Sequence, residues 1–190
     1  MSFDLQYHYD TRLIVRISVL LSVLVASLAL WLATDVTVTR TVAPAEIWAY
    51  VNEQSAKAKL SPDFVYAIVW AESSLDPSAR SSVARGMMQL TRSAWREVTN
   101  ESYRQAWDWR TNIRVGVGYL SFCRDFLQKR DAFNYSLLAA SYLYGPYYVQ
   151  NKNFDMAAIK RPRNKIYQRL VQGDVTPVER PVNVSVSQVP

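Results

Sequence analysis

One acidic residue interrupts an apolar helical pattern near the middle of the chain. Apolar residues recur at spacings of three and four at Phe64, Val65, Ile68 and Val69. Glu72 continues the same stripe, four residues after Ile68. An ionised carboxylate is costly to bury, so a glutamate in this position is normally paired, protonated or functional. Burial and the nearby helix C-terminus both predict a raised pKa for Glu72, in the range that suits a general acid.

Pairing with a base is the alternative explanation of this glutamate. Arg80 and Arg85 follow Glu72 closely in the chain. A structural ion pair with either arginine would also perturb the pKa of the carboxyl. The apolar pattern by itself favours neither a functional nor a structural role.

The histidine and cysteine content excludes several kinds of site. His8 is the only histidine and Cys123 the only cysteine among 190 residues. A histidine-based catalytic triad, a zinc site of Cys/His spacing and an internal disulfide are therefore excluded, and we expect no metal or cofactor. Outside the cytoplasm, the lone thiol of Cys123 is tolerable only if it is buried.

Helical periodicity over residues 45–171 predicts an all-α domain without a strand hairpin or an internal repeat. Within it, Ser61 is predicted to cap a helix whose first residue is Pro62. The predicted helices cover about residues 45–59, a segment from Ser61, segments from about Ser93 and from Thr111, the stretch FNYSLLAASYLYG ended by Gly145 and Pro146, and residues 155–171.

An apolar segment precedes this domain. Residues 17–33 carry no charge, and Arg12 and Arg16 lie on their N-terminal side. Extended to residues 13–33, with Arg16 reaching toward the lipid headgroups, the segment has the roughly 20 residues that cross a bilayer. We expect a single-pass anchor in the inner membrane, with residues 1–12 in the cytoplasm and the rest of the chain in the periplasm.

A cleaved signal peptide is the alternative for the same segment, because Ser27 and Ala29 offer the small residues that cleavage requires. After the apolar segment, residues 34–44 predict an extended tether. Residues 172–190 contain Pro and Ser without a helical period. They predict a loosely ordered tail or a small docking strand.

The charge of the chain is positive. A formal net charge of +6 implies attraction to nucleic acid, anionic lipid or the anionic polymers of a bacterial wall. The densest basic stretch, KRPRNKIYQR at residues 160–169, is interpreted as a solvated helix face, because no nucleic-acid motif accompanies it. We therefore expect no nucleic-acid partner. Nucleic-acid binding, as a rival function, rests on charge alone and would not depend on Glu72.

Short motifs along the chain resemble those of one family. They are ESSLDP at residues 72–77, RGMMQL at 85–90, NIRVGVGYL at 112–120 and SYLYGP at 141–146. In this order they resemble the Glu-Ser, Gly-Leu-Met-Gln, Asn-Ile-x-x-Gly-x-x-Tyr-Leu and Ala-Tyr-Asn-x-Gly motifs of soluble-lytic-transglycosylase-type domains. The resemblance covers about residues 50–171, and Tyr167 is similar to a late tyrosine of the family.

This resemblance implies a goose-lysozyme-like all-α fold over residues 45–171 and cleavage of peptidoglycan glycan strands. The implied reaction breaks the β-1,4 bond between N-acetylmuramic acid (MurNAc) and N-acetylglucosamine (GlcNAc) without water and leaves 1,6-anhydro-MurNAc ends. Glu72 would be the catalytic acid and base. The candidate partners besides peptidoglycan and the membrane are secretion, conjugation or phage machinery.

The resemblance also implies a set of substrate-binding residues. Tyr142 is expected within hydrogen-bond reach of Glu72, and Ser73 and Gln89 are expected to offer polar groups to the glycan or to the acid. Gly86 is expected to allow an unusual backbone conformation or a close sugar approach. The full set of expected substrate-binding residues is Ser73, Gly86, Met88, Gln89, Tyr142 and Tyr167. Met88 is expected to pack in the core and also to line the groove.

Two rival functions remain open on the sequence. A lysozyme would use water and a second carboxylate, for which Asp76 and Asp108 are the candidates, although Asp76 is better placed to cap a turn. A non-catalytic peptidoglycan-binding scaffold is the other rival. It is suggested by Leu143, which stands where the family motif has asparagine.

Overall fold

The structure, a computed structural model, describes residues 41–181. The predicted cytoplasmic segment, the membrane anchor, most of the tether and the end of the tail lie outside the described residues. Within residues 41–181, no helix has both the length and the apolar character needed to cross a bilayer.

Helices dominate the described range, and a two-stranded hairpin interrupts them. In chain order the elements are α1 (Pro44–Ala58), α2 (Pro62–Ser73), β1 (Ala84–Arg85), β2 (Leu90–Thr91), α3 (Arg92–Val98), a 3₁₀ helix (Tyr103–Trp107), α4 (Trp109–Gln128), α5 (Tyr135–Tyr144), α6 (Pro146–Asn151) and α7 (Lys165–Leu170).

The predicted start of α2 is confirmed. The hydroxyl of Ser61 accepts a hydrogen bond from the amide of Phe64 at 3.4 Å, and Pro62 is the first helical residue. The helix ends at Ser74, whose left-handed conformation (φ 53°) stops the helical repeat directly after Glu72 and Ser73. Glu72 is therefore fixed at the last turn of a well-defined helix.

The expectation of an all-α domain without a hairpin is wrong in one detail. Strands β1 and β2 pair antiparallel, with Ala84 opposite Thr91 and Arg85 opposite Leu90. Strands of two residues are too short to show an alternating pattern, so periodicity could not reveal them.

The last predicted helix, residues 155–171, is also wrong in extent, because only α7 is helical. Pro162 stands in the middle of the predicted segment, where proline would remove a helical hydrogen bond and clash with the preceding turn. Its carbonyl accepts instead from Gln168 Nε2 at 2.9 Å. In addition, Pro146 begins the short helix α6, where only a helix end was predicted.

Helix α4 lies at the centre of the fold. It packs against α1, α3, α5 and the 3₁₀ helix, and Ile113, Leu120 and Leu127 are fully buried along it. Cys123 is also fully buried, and burial raises the pKa of this thiol to about 12.

Helix α7 closes the fold by packing against α2 and α5. This packing brings the buried Tyr167 to the end of α2 that carries Glu72. After α7 the chain returns to the start of α2, where Arg180 binds both carboxylate oxygens of Asp63 at 2.6 and 2.7 Å. The two ends of α2 are therefore both contacted by the C-terminal part of the described chain.

A buried amide on α4 holds the hairpin loop. Asn112 is fully buried, and its Oδ1 accepts from the amide of Met88 at 2.8 Å. Its Nδ2 donates to the carbonyls of Arg85 and Ala106, both at 3.0 Å. Close packing continues one turn later, since Gly116 lies directly against the Met88 side chain.

Gly116→Ala and Gly118→Ala form a matched pair of substitutions within α4. A Cβ at Gly116 would lie 2.2 Å from the sulfur of the buried Met88, whereas one at Gly118 would lie 3.8 Å from Val98. We expect Gly116→Ala to lower the free energy of unfolding by about 1–2 kcal/mol, because overpacking exceeds the gain in helix propensity. Gly118→Ala should raise it by up to about 1 kcal/mol. Urea unfolding measures both values, and equal effects would contradict this packing.

Candidate active site

Glu72 lies at the wall of an open cleft of about 470 Å³. Its carboxyl is half-buried at the C-terminal end of α2. Helix α5 and the hairpin supply the other walls, and α4 contributes Tyr119. The lining residues are Glu72, Ser81, Ala84, Gln89, Leu90, Thr91, Ala94, Tyr119, Tyr142, Leu143, Tyr144 and Gly145.

The hydrogen-bond partner of Glu72 is Tyr167, whose hydroxyl donates to Oε1 of the carboxyl. The expectation that Tyr142 makes this contact is wrong, because the hydroxyl of Tyr142 donates to the carbonyl of Met88 at 2.7 Å. Tyr167 is buried and Tyr142 is half-buried, and desolvation holds both pKa values well above 10. Each hydroxyl is therefore a neutral donor at neutral pH.

Pairing of Glu72 with an arginine is not observed in the described part of the chain. The guanidinium of Arg85 lies over the rings of Tyr103 and Trp107, at 4.7 and 5.4 Å from their centroids. Arg80 makes no ion pair with a carboxylate among residues 41–181. The carboxyl of Glu72 is therefore oriented by a neutral group.

Burial raises the pKa of Glu72 from 4.5 to about 7, and the hydrogen bond from Tyr167 opposes this rise. A cation at the position of Tyr167 would have held the pKa of the carboxyl low. With a neutral donor, the carboxyl is present in both protonation states near pH 7. A group with this pKa can donate a proton and take one back within one reaction cycle.

The hairpin loop places Gln89 in the cleft. Its Nε2 donates to the carbonyls of Ala79 and Gly86, both at 2.9 Å, so these bonds fix the amide plane. Gly86 has φ +76°, and a Cβ there would lie 2.3 Å from Nδ2 of Asn112. The close neighbour that requires glycine is thus the buried amide of Asn112, and Gly86 itself does not line the cleft.

Two other predicted residues do not present their side chains to the cleft. The hydroxyl of Ser73 donates to the carbonyl of Val69, one turn earlier in α2, at 3.2 Å. The side chain of Met88 is fully buried in the core. Met88 acts through its backbone, since its carbonyl accepts from Tyr142 and its amide donates to Asn112.

Sequence reasoning missed two residues that build the site. Tyr119 lines the cleft and packs edge-on against Tyr142, with ring centroids 5.7 Å apart. Asn112 holds the loop that carries Gln89. Both lie in the segment NIRVGVGYL, so the motif that carried the family resemblance contained the signal for them.

Leu143 forms an apolar part of the cleft wall. A leucine side chain offers no hydrogen bond, so the hydrogen-bonding groups of this wall belong to neighbours such as Tyr144. No group of three or more potential metal ligands occurs among the described residues.

The raised pKa of Glu72 makes folding stability depend on pH. The protonated carboxyl is favoured in the folded state, so its stabilisation is complete below about pH 4.5 and is lost as the pH rises through about 7. Glu72→Gln stays neutral at every pH. Relative to wild type, this variant should gain at most about 3 kcal/mol between pH 5 and pH 8.

Urea unfolding of both proteins at the two pH values measures this gain. Glu97→Gln, at an exposed glutamate of α3, is the matched control and should follow the wild-type pH dependence. A difference between Glu72→Gln and wild type that does not change with pH would contradict a buried, proton-binding carboxyl.

Tyr167→Phe isolates the hydrogen bond to Glu72. This bond lowers the pKa of the carboxyl while burial raises it, so its removal should move the pKa above about 7. NMR titration of the glutamate side-chain carboxyl measures the shift. Tyr142→Phe is the matched control, because its hydroxyl bonds to Met88. Equal shifts in the two variants would show that Tyr167 has no special relation to Glu72.

Comparison with known proteins supports the resemblance drawn from the motifs. The transglycosylase SLT domain family matches residues 49–161, which is more than half of the chain. Among solved structures, an inactive Glu-to-Gln mutant of lytic transglycosylase Slt from Pseudomonas aeruginosa is similar, with a TM-score of 0.54 and 24% identity over 68% of this chain.

The similarity to this solved structure is a similarity of fold, and it covers 22% of the Pseudomonas aeruginosa chain. A search among curated proteins finds no significant match. The predicted helical, lytic-transglycosylase-like fold is confirmed for the described residues. On the match over residues 49–161, the chain belongs to the transglycosylase SLT domain family.

Proposed function

We propose that this protein is a lytic transglycosylase that cleaves the β-1,4 bond between MurNAc and GlcNAc in peptidoglycan and forms 1,6-anhydro-MurNAc ends. The observation that carries the proposal is the carboxyl of Glu72, half-buried in an open cleft, with a pKa of about 7 and a neutral tyrosine as its partner. The inactive Glu-to-Gln mutant of the Pseudomonas aeruginosa enzyme gives the proposal further support.

The first step uses the protonated form of Glu72. The carboxyl gives its proton to the glycosidic oxygen, and the bond between that oxygen and C1 of MurNAc breaks. GlcNAc leaves with a free 4-hydroxyl. The N-acetyl group of the same MurNAc supports the positive charge that develops at C1, so the protein needs no second carboxylate for this purpose.

The second step uses the carboxylate form of the same residue. Glu72 takes the proton from the C6 hydroxyl of MurNAc, and O6 forms a bond to C1. The carboxyl is protonated again at the end of the cycle, and no water is consumed. Tyr167 donates to Glu72 and keeps its orientation in both steps, since its own raised pKa prevents it from losing a proton to the carboxylate.

The charges near the cleft favour this route over a lysozyme mechanism. Glu72 is the only carboxylate among the described residues that line the cleft. The two candidates for a second carboxylate have other bonds: Asp76 accepts from the amide of Ser78 at 2.8 Å, and Asp108 caps α4 by accepting from the amide of Thr111 at 2.8 Å. Without a second carboxylate to activate a water, the C6 hydroxyl of MurNAc serves as the nucleophile.

A non-catalytic scaffold is the second candidate, and Leu143 is the observation that favours it. An apolar residue in the cleft wall removes one polar contact with a sugar. The proton-binding carboxyl of Glu72 argues against this alternative, because burial of an acid is unfavourable and a scaffold gains nothing from it.

The proposed location follows from the sequence. We propose that residues 13–33 anchor the protein in the inner membrane, with the catalytic domain in the periplasm, where its substrate lies. Cleavage of the wall at such a place suits wall turnover as well as the passage of a secretion, conjugation or phage machine.

Glu72→Gln tests the mechanism in the full chain. We expect release of anhydro-MurNAc ends from purified peptidoglycan to fall about 100-fold or more, because the variant can neither donate nor accept the proton. Mass spectrometry measures the released sugars, and anhydro ends are one water lighter than reducing ends. Circular dichroism checks that the variant is folded, and Glu97→Gln should retain the wild-type rate.

Each alternative has its own result in the same experiment. Reducing ends from the wild type would establish a lysozyme. Wild-type protein that binds peptidoglycan but releases no sugar would establish a scaffold. Full activity of Glu72→Gln would overturn the assignment of the acid.

A further inference from the structure

A second cavity, of about 410 Å³, adjoins the cleft that contains Glu72. The two share Leu143 and Tyr144 as lining residues. Tyr167, the hydrogen-bond partner of Glu72, also lines the second cavity. Residues 160–164 line this space as well, and we call it the basic cavity. The two cavities are therefore neighbours along the wall that Leu143 and Tyr144 form.

The basic cavity has an excess of positive charge. Lys160, Arg161 and Arg163 line it, and no aspartate or glutamate does so among the described residues. None of these three cations forms an ion pair with a carboxylate within residues 41–181. Neighbouring cations repel one another, so their grouping favours a bound anion.

The backbone of this segment is fixed before any ligand arrives. At one end, the amide of Lys160 donates to the hydroxyl of Tyr148 at 3.2 Å. At the other end, Nδ2 of Asn164 donates to the carbonyl of Ala71 at 3.1 Å, directly beside Glu72. Asn164 also caps α7 by accepting from the amide of Ile166 at 2.8 Å. The hydrogen bond from Gln168 to Pro162 holds the middle of the segment.

The chemistry of peptidoglycan limits what the anion can be. The sugar chain is uncharged, because the lactyl carboxyl of each MurNAc is joined to a peptide stem by an amide bond. The free carboxylates of the polymer lie in these peptide stems. Guanidinium groups bind carboxylates through paired hydrogen bonds, which gives both affinity and orientation.

We propose that the basic cavity is a subsite for peptide-stem carboxylates of the glycan strand held in the cleft, with Arg161 and Arg163 as the main contacts. The proposal rests on the proposed function, since it takes peptidoglycan as the polymer in the cleft. It assigns a role to the basic stretch at residues 160–169, and it makes this protein selective for glycan whose peptide stems keep their free carboxylates.

The test measures binding in the absence of cleavage. Full-length Glu72→Gln protein is titrated with soluble peptidoglycan fragments that have been freed of attached wall polymers. One sample keeps its peptide carboxylates, and in the other they have been converted to amides. The double variant Arg161→Gln/Arg163→Gln is compared with Lys165→Gln. Lys165 belongs to the same basic stretch but does not line the basic cavity, so it is the matched control.

We expect the double variant to bind the carboxylate sample about tenfold more weakly than its parent, because two partly exposed charged contacts are lost. It should bind the amidated sample as its parent does. Lys165→Gln should match the parent on both samples. Equal losses on the two samples, or an equal loss in Lys165→Gln, would overturn the subsite, because the effect would then be one of general charge.

Failure of the proposed function gives a different result. In that case the wild type releases no anhydro-MurNAc ends from either sample, whatever the arginine variants bind. If the subsite alone is wrong, the wild type releases these ends at the same rate from the carboxylate and the amidated samples.

Discussion

The hydrogen bond from Tyr167 to Glu72 joins residues that are 95 positions apart in the chain. It can form only if α7 packs against the last turn of α2. The last helix of the described fold therefore supplies the hydrogen-bond partner of Glu72. The bond also sets the electrostatic character of the site. A neutral donor orients the carboxyl without neutralising it, and burial then raises the pKa of Glu72 to about 7.

The hairpin wall of the cleft depends on a different interaction, the buried amide of Asn112. Strands of two residues cannot hold a loop in place by their own backbone bonds. The hydrogen bonds of Asn112 to Arg85, Met88 and Ala106 attach this loop to the central helix α4. The carbonyl of Met88, fixed in this way, in turn accepts from Tyr142 on α5. The loop that carries Gln89 is thus attached to both helices.

Local signals made much of this structure predictable from the sequence. The Ser61–Pro62 start of α2 and the apolar stripe that ends at Glu72 depend on residues within a few positions of one another. The choice between Tyr142 and Tyr167 as the partner of Glu72 cannot be read from neighbouring residues, because it depends on how α5 and α7 pack around α2. The short hairpin and the irregular segment around Pro162 were missed for related reasons. The strands of the hairpin are too short to show a period, and Pro162 breaks a segment that is otherwise periodic.

Cys123 shows what the packing of the core means for the reactivity of a lone thiol. Thiol–disulfide exchange requires the thiolate, and a thiol with a pKa of about 12 is ionised in only about one molecule in 10⁵ at pH 7. Full burial also keeps small disulfides from reaching the sulfur. The folded domain is therefore kinetically protected from mixed disulfides and covalent dimers, and this thiol becomes reactive only when the chain unfolds. A thiol-specific reagent would accordingly report the opening of the core around Cys123.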